Sequence, residues 1–207
     1  GTHINFILCD NVETLVWMAN SGVVEINPWL SRFGDPDSPD FAVFDIDPSE
    51  GATWEDVKVV ARMVKSLLDH WGLAGFPKVS GATGLHIYVP ILPRFTYKEA
   101  STFVKNGAVQ VRDAYPERVT LERKVKDRQD RVYIDYPQNA RGQTISSVYG
   151  VRATRGAPVS MPIDWKELDD IHPKSWDITT AMRRIRESGD LFEDSLSQKQ
   201  DISPFLR

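Results

Sequence analysis

Apolar and polar residues follow two rhythms along this chain. In FAVFDID, residues 41–47, the period is two, so Ala42, Phe44 and Ile46 leave one face of a strand while Asp45 and Asp47 leave the other. TWEDVKVVARMVKSLLDHWG has the other rhythm. Its apolar positions Val57, Val60, Ala61, Val64, Leu67, Leu68 and Trp71 predict an amphipathic helix, with Thr53 as N-cap and Gly72 as its end. FPKVSGATGLHIYVPI reads as two short strands about a Gly-Ala-Thr-Gly turn, with His86 pointing away from the face of Leu85, Ile87 and Val89. A second helix starts at the Thr96–Glu99 capping box, and RVYIDYP is a further strand with Tyr133 and Asp135 on one face. NVETLVWMANSG predicts a helix ending near Gly22, VYGVRAT a strand, DWKEL a short helix capped by Asp164, and ITTAMRRIRESG a helix near the C-terminus. The tail over 190–207 is read as either loose or docked elsewhere.

Composition narrows the class. The 207 residues are 41% apolar and 26% charged, enough for one sizeable core, and alternating strands and helices without a linker point to one α/β domain. No apolar run approaches the ~18 residues of a membrane span and no signal-peptide pattern opens the chain, so the reading is an intracellular protein with no membrane association. The single cysteine, Cys9 in INFILCD, excludes an internal disulfide and reads as a small buried hydrophobe.

Net charge is −4, which disfavours nucleic-acid binding by bulk charge alone. Its distribution is uneven. ERVTLERKVKDRQDR carries six basic residues, Arg118, Arg123, Lys124, Lys126, Arg128 and Arg131, against four acids; Arg141, Arg152 and Arg155 follow with no acid between Asp135 and Asp164. A solvated charged hairpin is the plain reading of the first zone.

The chemistry begins with Asp45 and Asp47. Two like charges ~6 Å apart at an effective dielectric of ~20 repel by ~3 kcal/mol, so a metal ion, an arginine or a shared proton is expected between them. With Asp135 from a separate strand they make three carboxylates, a set that can hold two divalent cations for phosphoryl or nucleotidyl transfer. The turn SGATG offers free backbone N–H groups and two hydroxyls, His86 adds a donor, and Arg128 lies seven residues before Asp135, a combination suited to a triphosphate.

In that order, VFDIDPSEG, VSGATGLHIYVPI and DRVYIDYPQNARGQTISSVYGVRATRGAPVSMPIDWKEL resemble the polymerase domain of prokaryotic ligase D, the primase-polymerase of non-homologous end joining, within the archaeo-eukaryotic primase superfamily. The resemblance runs from about Asn11 to Gln200. It implies an α/β (α+β) catalytic core of mixed sheets flanked by helices, with an RNA-recognition-motif-like half. It further implies that Asp45, Asp47 and Asp135 bind two Mn²⁺ or Mg²⁺ ions, and that Ser80, Thr83, His86, Arg128, Gln138 and Arg152 lie about the incoming nucleotide. Thr83 stands where many relatives carry lysine. Arg141 and Arg155 are the implied DNA contacts.

Implied substrates are nucleoside triphosphates, NTP or dNTP, and gapped or broken DNA ends. Implied partners are Ku and a DNA ligase, and the implied location is cytoplasmic, at the nucleoid. Relatives carry an N-terminal segment with basic residues for the DNA 5′-phosphate and aromatics for bases. The expectation is therefore a single catalytic domain over 1–207 lacking that segment. Two other readings stand beside this one: a catalytically idle DNA-end-binding module, and a phosphohydrolase with Asp45 as nucleophile, which needs Thr or Val where Ser49 stands. His3, His70 and His172 match no functional position.

Overall fold

A computed structural model describes residues 5–207. Its elements in chain order are α1 (Val12–Asn20), β1 (Ser31–Arg32), β2 (Asp35–Pro39), β3 (Phe41–Pro48), α2 (Trp54–His70), β4 (Phe76–Val79), β5 (Leu85–Pro90), α3 (Tyr97–Ala114), β6 (Val119–Thr120), β7 (Val132–Ile134), α4 (Ala181–Ser188) and α5 (Glu193–Ser197). The site rests on a five-stranded mixed sheet of order β4-β5-β3-β7-β6, antiparallel except for the parallel pair β6 and β7.

The strand alternation read from sequence divides this sheet into two faces. Ala42, Phe44, Ile46, Leu85, Ile87 and Val89 join the main core with Val57, Val60, Ala61, Val64 and Leu68 of α2 and Phe103, Val104 and Ala108 of α3. Both helices begin in full capping boxes, Thr53 with Asp56 and Thr96 with Glu99, each satisfying backbone N–H groups that the first helical turn leaves orphaned. Gly107 inside α3 leaves the room that Phe44 occupies, since a Cβ there would come within 2.9 Å of the ring. The second face carries a smaller cluster of Leu30, Val43, Tyr88, Tyr97, Ile145 and Phe192.

Strand β7 is short, and a side chain completes its work. It pairs with β3 only at Ile46, Asp47 and Pro48. Beyond it, Asn139, fully buried, accepts the Val43 N–H at 2.7 Å and donates to the Val43 carbonyl at 2.8 Å, taking the part of the missing strand. Asn139→Ala would leave both backbone groups buried and unpaired, so a loss of ~2–4 kcal/mol in unfolding free energy is expected. Denaturant unfolding of the two proteins measures it; a loss below ~1 kcal/mol would mean water or rearrangement replaces the amide.

Several local readings are corrected. VYGVRAT is no strand: Tyr149 takes a left-handed φ of 60°, and only the isolated pair Val151–Val159 remains of a ladder. DWKEL forms one 3₁₀ turn, Trp165–Glu167, though with the Asp164 cap as read. The basic zone is no hairpin, because β6 and β7 run parallel and the loop between them holds a single 3₁₀ turn, Val125–Asp127. Cys9 is exposed, not buried. Residues 5–10 form no helix or strand, and Phe6, Ile7 and Leu8 are exposed, so this apolar run is not laid on the core; the Phe6 ring meets that of Trp29 edge-on. His70 and His172 are exposed, and His3 lies outside the described residues.

The tail docks. Gln200 exchanges hydrogen bonds with the Ala74 backbone, Lys199 pairs with Asp40, and Phe205 stacks on Trp71 with ring centres 4.5 Å apart. Among the described residues no helix is long and apolar enough to cross a membrane.

Candidate active site

The second face of the sheet is built of cross-strand rows, and register decides what stands in each. Phe76, Tyr88 and Val43 make an apolar row. One pleat further, Lys78, His86 and Asp45 lie side by side across β4, β5 and β3. Asp47 comes next, opposite Tyr133 of β7. Asp135 follows β7 directly, and its N–H donates to the Asp45 carbonyl at 2.8 Å. Gly84 permits this closeness: a side chain there would strike the Ile46 carbonyl and the Asp47 carboxylate.

The carboxylates are poorly compensated. Asp45 is only 9% exposed, and its Oδ1 lies 3.3 Å from His86 Nε2 without hydrogen-bond alignment, so this oxygen has no hydrogen-bond partner among the described residues. Burial, and then the charges of Asp47 and Asp135, hold its pKa well above the usual carboxylate range. Asp47 is raised too, by burial and then by Asp135, with Arg128 and Arg152 opposing. Asp135 is better served, accepting from Tyr133 Oη and the Gln138 N–H, each at 3.2 Å. As the side chains stand, no three possible ligands among the described residues are gathered into a ready cage. The donor set nonetheless fits a divalent cation: all are hard oxygens, one is buried and orphaned, and the nearby charges of Lys78, Arg128 and Arg152 do not outweigh burial and mutual repulsion at Asp45 and Asp47.

The raised carboxyls have a measurable consequence. A group whose folded pKa exceeds its unfolded value contributes stability below the unfolded value, ~3.9 for Asp, and loses it as pH climbs through the folded one. Asp45→Asn mimics the protonated form. In metal-free protein its unfolding midpoint is expected to gain on that of the unaltered chain as pH rises from ~4 to 7. Thermal unfolding of the pair across that range checks this, and a difference independent of pH would remove the charge repulsion from the account.

A cleft of about 220 Å³ opens above these rows, lined by Asp45, Asp47, Ser80, Thr83, His86, Gln138 and Arg152 among the expected residues. The turn between β4 and β5 differs from expectation in one respect. Ser80 Oγ accepts from the N–H groups of both Ala82 and Gly84 at 3.1 Å, so these two donors are spent inside the turn. Arg152 enters from the opposite wall, its Nε 3.3 Å from Glu25 and its Nη1 donating to the Ser80 carbonyl at 3.4 Å.

Other expected residues stand apart from the cleft lining. The Arg128 guanidinium lies 3.7 Å over the Tyr133 ring and donates to the carbonyls of Glu122 and Arg123, although its charge is felt at Asp47. Arg141 is paired with Asp37 and faces Trp29. Arg155 sits on an exposed turn.

Sequence reasoning missed Asn27, Thr144, Ser146 and Lys78. The first three line the cleft from irregular segments, where no periodicity aims a side chain. Lys78 had a usable signal: counting back from both ends of SGATG places it opposite His86. Burial and the neighbouring Arg152 charge pull its pKa down to about 7, with Asp45 opposing. Burial, then Lys78 and Arg152, push His86 well below the usual imidazole range, which leaves it neutral at pH 7.

Comparison with known proteins bears on the family and the fold. The chain is 32% identical over 203 residues to the bifunctional non-homologous end joining protein LigD of Bacillus subtilis, covering 97% of this chain and 33% of that protein. With the multifunctional LigD of Pseudomonas aeruginosa it shares 30% over 200 residues, 95% of this chain and 24% of the relative. It thus spans a third or less of the length of these relatives. The polymerase domain from Mycobacterium tuberculosis ligase D, solved in complex with DNA, superposes with a TM-score of 0.82 at 30% identity, covering 93% of this chain and 70% of that one. The sequence profile of the LigD primase-polymerase domain matches residues 1–192, and this chain belongs to the LigD primase-polymerase domain family.

Proposed function

We propose that this chain adds nucleotides, NTP or dNTP, to a primer 3′-OH at gapped or broken DNA ends, copying a template, in non-homologous end joining. The observation that carries the reading is the convergence of Asp45 and Asp47 with Ser80, His86 and Arg152 on one cleft, with Asp135 hydrogen-bonded to the strand beneath. Its volume of about 220 Å³ is below the ~300 Å³ at which pockets begin to enclose whole organic ligands, which favours a phosphate chain with the base outside.

Two divalent ions, Mn²⁺ or Mg²⁺, held by Asp45, Asp47 and Asp135 would supply Lewis acidity at the attacking 3′-oxygen and the departing pyrophosphate. The chain's own residues would do the positioning. Ser80 already accepts twice through Oγ, so its proton is free for a phosphate oxygen. His86 is neutral, and its buried Nδ1 has no partner among the described residues, which makes it a hydrogen-bonding group without a fixed charge. Arg152 brings charge and a fork of donors. Gln138 lines the same cleft, its amide donating to the Thr144 carbonyl, and Thr83 offers a hydroxyl from the turn where a lysine would offer charge. Arg128 acts on Asp47 through its field. Arg141 and Arg155, outside the cleft, are the proposed contacts to DNA phosphate. Ku would present the ends and a ligase would seal them.

Extension of a labelled primer on a gapped duplex, with Mn²⁺, with Mg²⁺ and with chelator, tests the proposal. Metal-dependent addition is expected. DNA binding without addition under every metal and nucleotide would favour the idle end-binding module instead.

A further inference from the structure

Lys78 is wholly closed to solvent, and no carboxylate lies within ion-pair distance of it among the described residues. Its ammonium meets two hydroxyls, Ser160 Oγ at 2.5 Å and Ser146 Oγ at 3.2 Å, and lies 5.7 Å from the centre of the Tyr88 ring. A charged lysine can only donate, so both hydroxyls must accept from it. Ser160 then sends its own proton to the Val79 carbonyl at 3.1 Å. Ser146 differs, because it also lines the cleft. With a lone pair engaged by Lys78, it has two uses for its proton: the Ser160 oxygen 3.3 Å away, or an acceptor in the cleft.

We infer that Ser146 is a further binding residue for the anionic phosphate chain, and that Lys78 is the positioning residue that makes its hydroxyl donate into the cleft. The inference rests on the cleft being a nucleotide site. Lys78 does two things there. It occupies the acceptor side of Ser146, and it places a buried positive charge behind the hydroxyl, where low dielectric strengthens the pull on an anion. A purely structural role would be met by a methionine of similar shape, since a buried charge is costly and Asp45, the carboxylate whose charge acts on Lys78, lies beyond ion-pair distance. The lowered pKa is consistent with that cost, and an anion in the cleft would offset it.

The test is a double-mutant cycle on binding, independent of turnover. The unaltered chain, Ser146→Ala, Lys78→Met and the double variant are titrated calorimetrically with Mg²⁺ and a non-hydrolysable ATP analogue, and again with tripolyphosphate. Thermal unfolding is followed alongside. Ser146→Ala keeps the lysine and the core, and is expected to weaken both probes about tenfold with the fold retained and the unfolding midpoint lowered by a few degrees at most, for the acceptor taken from Lys78. Lys78→Met should weaken them at least as much, and the double variant should lose no more than Lys78→Met alone, as for groups acting in series. Ser146→Ala binding within twofold of the unaltered chain overturns the inference, as do losses that multiply. Should Lys78→Met not fold, Ser146→Ala still decides the hydroxyl's role, and Lys78→Gln replaces it in the cycle. Absence of binding by the unaltered chain would overturn the nucleotide-site reading itself, a different result from normal binding by all the variants.

Discussion

Asp45→Ala and Asp135→Ala are each expected to lower nucleotide addition by more than ~10³-fold while the fold persists. The two effects separate because the acids work against the core they stand on. Asp45 is buried with an orphaned oxygen and with two other carboxylates acting on it, so its removal relieves repulsion in the metal-free state. Each kcal/mol relieved would raise the unfolding midpoint by ~2–4 °C in a chain of this size. Asp135→Ala has less to gain, since it also gives up hydrogen bonds from Tyr133 and from the Gln138 N–H. Single-turnover extension assays and metal-free thermal unfolding measure the two quantities on the same preparations. Addition near the level of the unaltered chain in either variant would remove that carboxylate from the metal site. Collapse of the fold in Asp45→Ala would instead make it a structural residue.

What could be read from sequence was local. Period-two alternation in FAVFDID put the acids on one face because strand geometry leaves no other choice, and the Thr53 cap and the Thr96–Glu99 capping box were legible because such caps act within four residues. Long-range arrangements were not legible. Asn139 completes a strand edge 96 residues away, and neither partner carries a sign of the other in its own neighbourhood. VYGVRAT has the composition of a strand, but its ladder is interrupted at Tyr149, which takes a positive φ: its N–H donates to the Ser160 carbonyl, while the N–H of Gly150 turns back to the Ser147 carbonyl. The first basic zone was read as a solvated charged hairpin. Much of it folds its own loop: Arg128 and Arg131 donate to the carbonyls of Glu122, Arg123, Asp127 and Arg128, and Arg118 pairs with Asp56. Cationic composition shows how many donors a segment has and nothing of where they are spent.

The same limit explains the partial assembly of the site. Residues on strands or the tight turn between them, Asp45, Asp47, Ser80 and His86, line one cleft because strand parity and the short turn aim them there. Residues on the irregular stretch after Asp135 divided: Gln138 and Arg152 face the cleft, whereas Arg141 is drawn off by Asp37 and Arg155 is left on an exposed turn. Glu25 belongs to this account as well. It accepts the Ala153 N–H at 3.0 Å and pairs with Arg152, so the segment after α1 holds the arginine against the cleft wall.

Arg152→Ala is expected to weaken binding of a metal–nucleoside triphosphate by about a hundredfold, the loss of two charge-assisted hydrogen bonds. The argument rests on how many charges in the cleft answer to this one guanidinium. It opposes the raised pKa of Asp45 and of Asp47, and it helps drive Lys78 and His86 toward their neutral forms. Its removal therefore costs twice: the phosphates lose a forked donor, and the acids hold their protons more tightly when they must release them to bind metal. Arg152→Lys keeps the charge without the fork, so it should restore the acids but only part of the affinity. Affinity for DNA should change little in either variant, because a side chain only 22% exposed and held by Glu25 and Ser80 offers a duplex little surface. Parallel titrations with Mn²⁺ plus nucleotide and with a gapped duplex distinguish the cases. Unchanged nucleotide affinity with lost DNA affinity would move Arg152 to the DNA side and leave Ser80, His86 and the metals to hold the triphosphate.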